Sequence, residues 1–144
     1  MTPYAQDARH RLEASPPYRD TLSDFAGVQD VLQKYFDALY ACDVDLLAEV
    51  FHPRAIYATA DESPALYRDM PTYFEVVRGR TPPAASADPR RDIIDEIAFA
   101  GPNAAAVRVR CTLGARDFVD LLTLVREDGR WRIIAKVFQI IEKG

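Results

Sequence analysis

Residues 118–138 read FVDLLTLVREDGRWRIIAKVF, and this stretch decides the fold. Asp128-Gly129 at its centre is a two-residue hairpin signal, since both central positions of such a turn need positive φ, which Gly and Asp tolerate. The flanks are rich in β-branched and aromatic residues and are apolar on both faces. Trp131, Ile133, Ala135 and Val137 fall on one side of the second strand, with Ile134, Phe138 and Ile140 on the other. An antiparallel sheet with one wet face alternates cleanly, so both faces of this hairpin are expected to be covered. Counting outward from the turn sets Val125 opposite Arg132, Thr123 opposite Ile134 and Leu121 opposite Lys136. Asp120 then pairs with Val137, on the opposite face from Lys136, as long as no bulge intervenes. A one-residue slip would exchange the two sets.

The hairpin extends backward into a meander. Gly101-Pro102-Asn103 and Gly114-Ala115-Arg116 are turn signals, giving strands over 104–113, 117–126 and 130–141 after an alternating run over 91–99. Strands this long predict a strongly bent antiparallel sheet.

Ahead of the meander the period changes to helical. Val28, Val31, Leu32, Tyr35, Phe36, Leu39 and Tyr40 recur at i, i+3, i+4 and i+7 spacing, the apolar stripe of a helix starting after Asp24 as N-cap. Asp43 or Asp45 opens a short second helix bearing Leu46, Leu47, Val50 and Phe51, stopped by His52-Pro53, where the histidine has a capping role. A strand over 55–58 follows. Asp69 caps a third helix with Pro71 in its first turn and Tyr73, Phe74 and Val77 on its apolar face. Residues 80–89, with three prolines, read as a mobile loop, and residues 1–23 as a polar arm containing a short helix over 6–14. The chain is then one α+β domain over 24–144, preceded by the arm.

Composition bounds the function. The 144 residues carry 18 Lys and Arg against 22 Asp and Glu, a net charge of −4, with no basic run beyond Arg90-Arg91. Nucleic acid needs clustered cations, so it is not expected as a partner. Cys42 and Cys111 are too few for a zinc site or a disulfide framework. Free buried thiols are expected, a single bridge being the alternative. No metal or cofactor is implied, and no apolar run has the length of a membrane span. The chain reads as cytoplasmic. Three helices can cover only one face of the sheet, so the other apolar face is expected to form a symmetric homodimer.

The stretch VQDVLQKYFDALYACDVDLLAEVFHPRA, together with residues 118–138, resembles the nuclear transport factor 2-like (SnoaL-like) superfamily, and the ending is most similar to its putative lumazine-binding branch. The resemblance covers about residues 25–141. It implies a cone in which three N-terminal helices cover the concave face of a curved antiparallel sheet and enclose a pocket, with a dimer on the convex face. The superfamily holds ketosteroid isomerases, epoxide hydrolases, cyclases and non-enzymatic binders, so the fold does not choose among them. Set against the isomerases, the oxyanion-hole tyrosine falls on Tyr35 and the catalytic base on Thr59, which cannot act as one, with Asp61 two residues displaced. The second aspartate falls near Leu121, one residue from Asp120. One position of three is kept, and isomerase chemistry is not expected.

Within such a cone Tyr35, Tyr57, Tyr73, Thr123, Lys136 and Phe138 are expected to line the pocket, with Asp120 joining them if its side chain points inward. Buried tyrosine hydroxyls need partners, in the core or on a ligand. Lys136, flanked by Ile134 and Phe138, lies either in the pocket or at an interface. Inside, desolvation would lower its pKa and make it a base or an anion anchor, unless a carboxylate such as Asp120 pairs with it. Arg110 is a weaker anion clamp on a solvated strand face. The leading expectation is a dimeric binder of a small, partly apolar molecule. The alternatives are a cofactor-free isomerase, hydrolase or cyclase using Lys136 or Asp120 as acid–base, and a dimerisation module without a ligand.

Overall fold

In the computed structural model, which describes residues 17–141, the first element is helix α1, Pro17–Ala41. It begins seven residues before the expected N-cap. Pro17 suits a first turn, where its missing N–H is not needed, and residues 17–23 continue into the helix instead of forming an arm. Asp24 is therefore a mid-helix residue, buried, and accepts a 2.7 Å hydrogen bond from Arg126. The expected helix over 6–14 lies outside the described residues.

The stripe on α1 is as its spacing requires: Val28, Val31, Leu32, Tyr35, Phe36 and Leu39 are all buried. Cys42 breaks the helix at φ 48°, and Asp43 then caps α2, Val44–Val50, by accepting from the Leu46 N–H at 3.1 Å. Strand β1, Phe51–Thr59, follows at once, so His52 is its second residue and no helix cap: its Nδ1 accepts from the Arg54 N–H. Helix α3, Met70–Arg78, is capped by Asp69 accepting from Thr72 N–H at 2.9 Å. Between β1 and α3 a short strand β2, Leu66–Arg68, pairs with β1. One turn of 3-10 helix, Pro83–Ser86, occupies the proline-rich segment, which Tyr40 ties to α1 by donating to the Asp88 carbonyl at 2.7 Å.

Strands β3 (Arg90–Phe99), β4 (Ala104–Leu113), β5 (Arg116–Glu127) and β6 (Arg130–Ile141) form the meander. The six-stranded curved sheet has the order β2-β1-β6-β5-β4-β3, with only the β1–β6 pair parallel. Asp128 and Gly129 take φ of 54° and 74°, the two-residue turn expected between β5 and β6.

The register departs from the count at one residue. Val125 faces Arg132 and Leu124 faces Ile133, but Thr123 faces Ala135, so Ile134 is an extra residue in β6. Beyond this bulge every pairing is displaced: Leu122 faces Lys136, Leu121 faces Val137 and Asp120 faces Phe138. A bulge lets both halves of one strand turn the residues they need to the same face. Trp131 and Ile133 point inward before it, and Lys136 and Phe138 after it. Thr123 is correspondingly exposed on the outer face, and Asp120 is wholly buried on the inner one.

Helix α1 crosses the inner face closely where Gly27 meets Trp131. A Cβ on Gly27 would stand 2.9 Å from the indole Cδ1. Gly27→Val is expected to destabilise the chain by about 1–3 kcal/mol through overpacking, read as a lower urea midpoint. An unchanged midpoint would mean that α1 does not seat on Trp131.

Candidate functional site

Three strands deliver charged or polar groups to one place on the inner face. Asp120 comes from the middle of β5, Lys136 from β6 after the bulge, and Cys111 from β4; Tyr35 descends from the buried stripe of α1. The Tyr35 hydroxyl donates to Asp120 Oδ2 at 2.6 Å, and the Cys111 thiol lies 3.8 Å from the same oxygen. Lys136 Nζ stands 3.9 Å from it. That separation is an ion pair but beyond hydrogen-bond length. Among the described residues the ammonium donates no hydrogen bond at all, although the side chain is only 8% exposed.

Aromatic rings take the place of hydrogen-bond acceptors around Lys136. Its Nζ lies 5.2 Å from the ring centres of Tyr35 and Phe138, 5.4 Å from Tyr57 and 6.0 Å from Tyr73. Such faces attract a cation, more so when water is excluded. Tyr57 and Tyr73 stack at 4.4 Å. In this cluster two fully buried atoms, the Tyr73 hydroxyl and Asp120 Oδ1, have no hydrogen-bond partner among the described residues.

The electrostatics follow from burial and from Asp120. Burial alone would push the Lys136 ammonium down, as expected from its position, but the Asp120 carboxylate and neighbouring phenols outweigh it, and the pKa is raised above the ordinary lysine value. Lys136 is therefore a fixed cation and not a base. Burial, then the nearby carboxylate, holds the Tyr35 phenol well above its ordinary value, and burial also raises Tyr73. Cys111 is pushed up to about 12 by burial and then by Asp120, so it is a thiol at neutral pH and no nucleophile.

Beside this cluster opens a cavity of about 510 Å³, within the size range of small-molecule sites. Tyr57, Cys111, Lys136 and Phe138 line its buried end, and Leu39, Val77, Leu113, Phe118 and Ile140 supply apolar walls. Arg68, Arg80, Arg116 and Glu62 line the more exposed part. Of the expected pocket residues, Tyr57, Lys136 and Phe138 reach the cavity surface. Tyr35, Tyr73 and Asp120 sit behind that wall, and Thr123 is on the far side of the sheet. Arg110 forms a two-pronged pair with Asp95, both contacts at 2.8 Å, on the solvated face.

Thr59, at the isomerase base position, donates to the Phe138 carbonyl at 2.8 Å, and Asp61 accepts from the Ile140 N–H. Both serve the β1–β6 junction. The tyrosine and second-aspartate positions are a different matter, because Tyr35 and Asp120 are hydrogen-bonded. The aspartate accepts from the tyrosine and faces a lysine. The three arginines escaped the sequence reading: they come from β2, from the residue after α3 and its Gly79 cap, and from a hairpin end, with no shared period. Cys42 and Cys111 are both free.

Among the described residues, no group of three His, Cys, Asp or Glu side chains could hold a metal, and no helix is long and apolar enough to cross a membrane.

The sequence over residues 23–139 matches the protein family described as "Putative lumazine-binding". No curated protein matches. Among solved structures, a protein of unknown function from Silicibacter pomeroyi, described as NTF2-like, is 21% identical with a TM-score of 0.72, over 84% of this chain and 98% of that one. An NTF2-like protein of unknown function from Shewanella baltica is 20% identical at TM-score 0.74, over 85% and 97%. A ketosteroid isomerase-like protein from Erwinia carotovora atroseptica is 14% identical at TM-score 0.65, over 82% and 96%. At these identities the likeness is one of fold.

The raised groups make stability depend on alkaline pH. Each keeps its proton in the folded chain after the unfolded chain has lost it, so the unfolded state binds fewer protons and stability falls as pH rises. For Cys111 the contribution is complete below its ordinary value of 9.0 and is lost on the way to about 12; Lys136 adds to the loss above its ordinary 10.5. Urea unfolding is expected to show stability level near pH 8 and then falling, by roughly 1.4 kcal/mol per pH unit for each such group. Cys111→Ala should remove its share of that slope just above pH 9. An identical slope in the variant would contradict a buried thiol beside Asp120.

Proposed function

The chain belongs to the putative lumazine-binding family, and from that premise we propose that it binds a small, partly apolar molecule in the cavity beside Lys136. The observation that carries this reading is the ammonium itself: a buried cation, without a hydrogen bond among the described residues, on the wall of an apolar cavity of about 510 Å³. Leaving donors of a buried charge unmatched is costly. A ligand oxygen reaching Lys136 would satisfy them, while the aromatic and aliphatic walls take the apolar body. The specificity of such a site comes from a fixed buried charge set among apolar walls.

Catalysis is the weaker reading. Asp120 is engaged by Tyr35, Cys111 and Lys136 behind the cavity wall and does not itself line the cavity.

We also propose that the outer sheet face forms a symmetric homodimer. Tyr67, Ala58, Val137 and Leu121 stand in one row across β2, β1, β6 and β5. Tyr67, Val137, Leu121 and the neighbouring Ile56 are all more than half exposed or close to it. An apolar row of this kind suits a self-complementary contact.

Native mass spectrometry tests both. The expected result is a dimer carrying a small organic molecule that is released on denaturation. The double variant Lys136→Met, Asp120→Asn removes both buried charges together, so it folds, and is expected to lower occupancy at least tenfold. Undiminished occupancy would contradict the anchor, and a dimer that binds nothing would favour a dimerisation module. In light scattering, Leu121→Asp with Val137→Asp should convert dimer to monomer. A monomeric wild type at micromolar concentration would sink the interface.

A further inference from the structure

The cavity's charge is lopsided. The chain as a whole carries −4, yet Arg68, Arg80 and Arg116 line the cavity's more exposed part against one carboxylate, Glu62. Glu62 lies only within 3.9 Å of Arg116, at the limit of an ion pair. Arg80 and Arg68 have no ion pair among the described residues; the Arg68 guanidinium instead lies 5.5 Å from the ring centre of Tyr57, itself a cavity-lining residue. Elsewhere Arg90 pairs with Asp37 and Asp92, Arg110 with Asp95 and Arg132 with Glu127. Although Arg54, Arg91 and Arg130 form no ion pair among the described residues either, only Arg68, Arg80 and Arg116 are brought together on this cavity. Unmatched guanidinium groups gathered round one opening favour a bound oxyanion, for which their fork geometry is suited.

Resting on the binding reading above, we infer that the cavity takes an amphipathic anion: an apolar body lodged against Phe118, Phe138 and Ile140, with an oxyanion head, a carboxylate or a phosphate monoester, held at the opening by Arg80 and Arg116. Lys136 then serves the inner end of the molecule and the arginines its outer end. The two cationic stations are separated by apolar wall, so a molecule with its only polar group at one end meets the arginines first and inserts tail-first.

Matched single-chain probes separate the contributions: octanoate, octyl phosphate and octan-1-ol, titrated calorimetrically. At least one of the two anions is expected to bind ten or more times tighter than octan-1-ol, and which of them does so distinguishes carboxylate from phosphate. Arg80→Gln with Arg116→Gln, both exposed and outside the packed core, should bring that anion to within about threefold of the alcohol while leaving the alcohol unchanged. Added salt should shrink the preference in the wild type. Equal binding of all three probes overturns the anion assignment while leaving the cavity reading intact. An anion preference that survives in the double variant overturns the placement of the head at the opening. Binding of none of the three to the wild type overturns the cavity reading itself.

Discussion

One extra residue, Ile134, governs what the interior of this sheet contains. A regular strand from Trp131 to Phe138 would present either Trp131, Ile133, Ala135 and Val137 to the helices, or Lys136 and Phe138 with Ile134. The bulge delivers Trp131 and Ile133 from one half and Lys136 and Phe138 from the other. Trp131 and Ile133 seat α1, whereas Lys136 and Phe138 build the cavity. The displacement turns Lys136 to the inner face, which Asp120 already shares with Leu122 and Leu124 on the regular strand β5, and there the two meet.

Once inside, the two charges constrain each other. At 3.9 Å, with an effective dielectric near 20, their attraction is about 4 kcal/mol. Taking each ion out of water costs several kcal/mol. The pair therefore adds little net stability, yet either partner alone would be intolerable. Tyr35 strengthens the arrangement by donating to Asp120, and four rings surround the ammonium without giving it an acceptor. A fixed cation in an apolar enclosure is a poor base and a good anchor, which is why the site reads as a binding site more readily than as a catalytic one.

Much of this was legible from residue pattern. The helical stripe on α1, the caps at Asp43 and Asp69, the Asp128-Gly129 turn and the meander all rest on local physics that tertiary structure did not override. Pocket membership was less accessible. Lys136 and Phe138 were identified because a lysine among apolar residues on one strand face is conspicuous. Thr123 was misplaced, and Lys136 set on the opposite face from Asp120, by a count that assumed an unbroken ladder. No residue type announces the bulge: Ile133-Ile134-Ala135 contains no glycine or proline, and its irregularity is imposed by what each half of β6 must pack against. Arg68, Arg80 and Arg116 were invisible for a different reason, since they converge from separate turns and strand ends. The helix start was missed because Asp24 resembles an N-cap, while its partner Arg126 lies a hundred residues away in sequence.

The most direct test of this account is a double-mutant cycle on Asp120 and Lys136, because the two share a face only if Ile134 is extra. Unfolding free energies would be measured for the wild type, Asp120→Asn, Lys136→Met and the double variant. The expected result is that each single change is strongly destabilising, by roughly 3–5 kcal/mol for a broken buried pair, while the double variant loses much less than the sum, a coupling of about 2 kcal/mol or more. Losses that add to within about 0.5 kcal/mol would put the two side chains on opposite faces of the sheet and contradict the account.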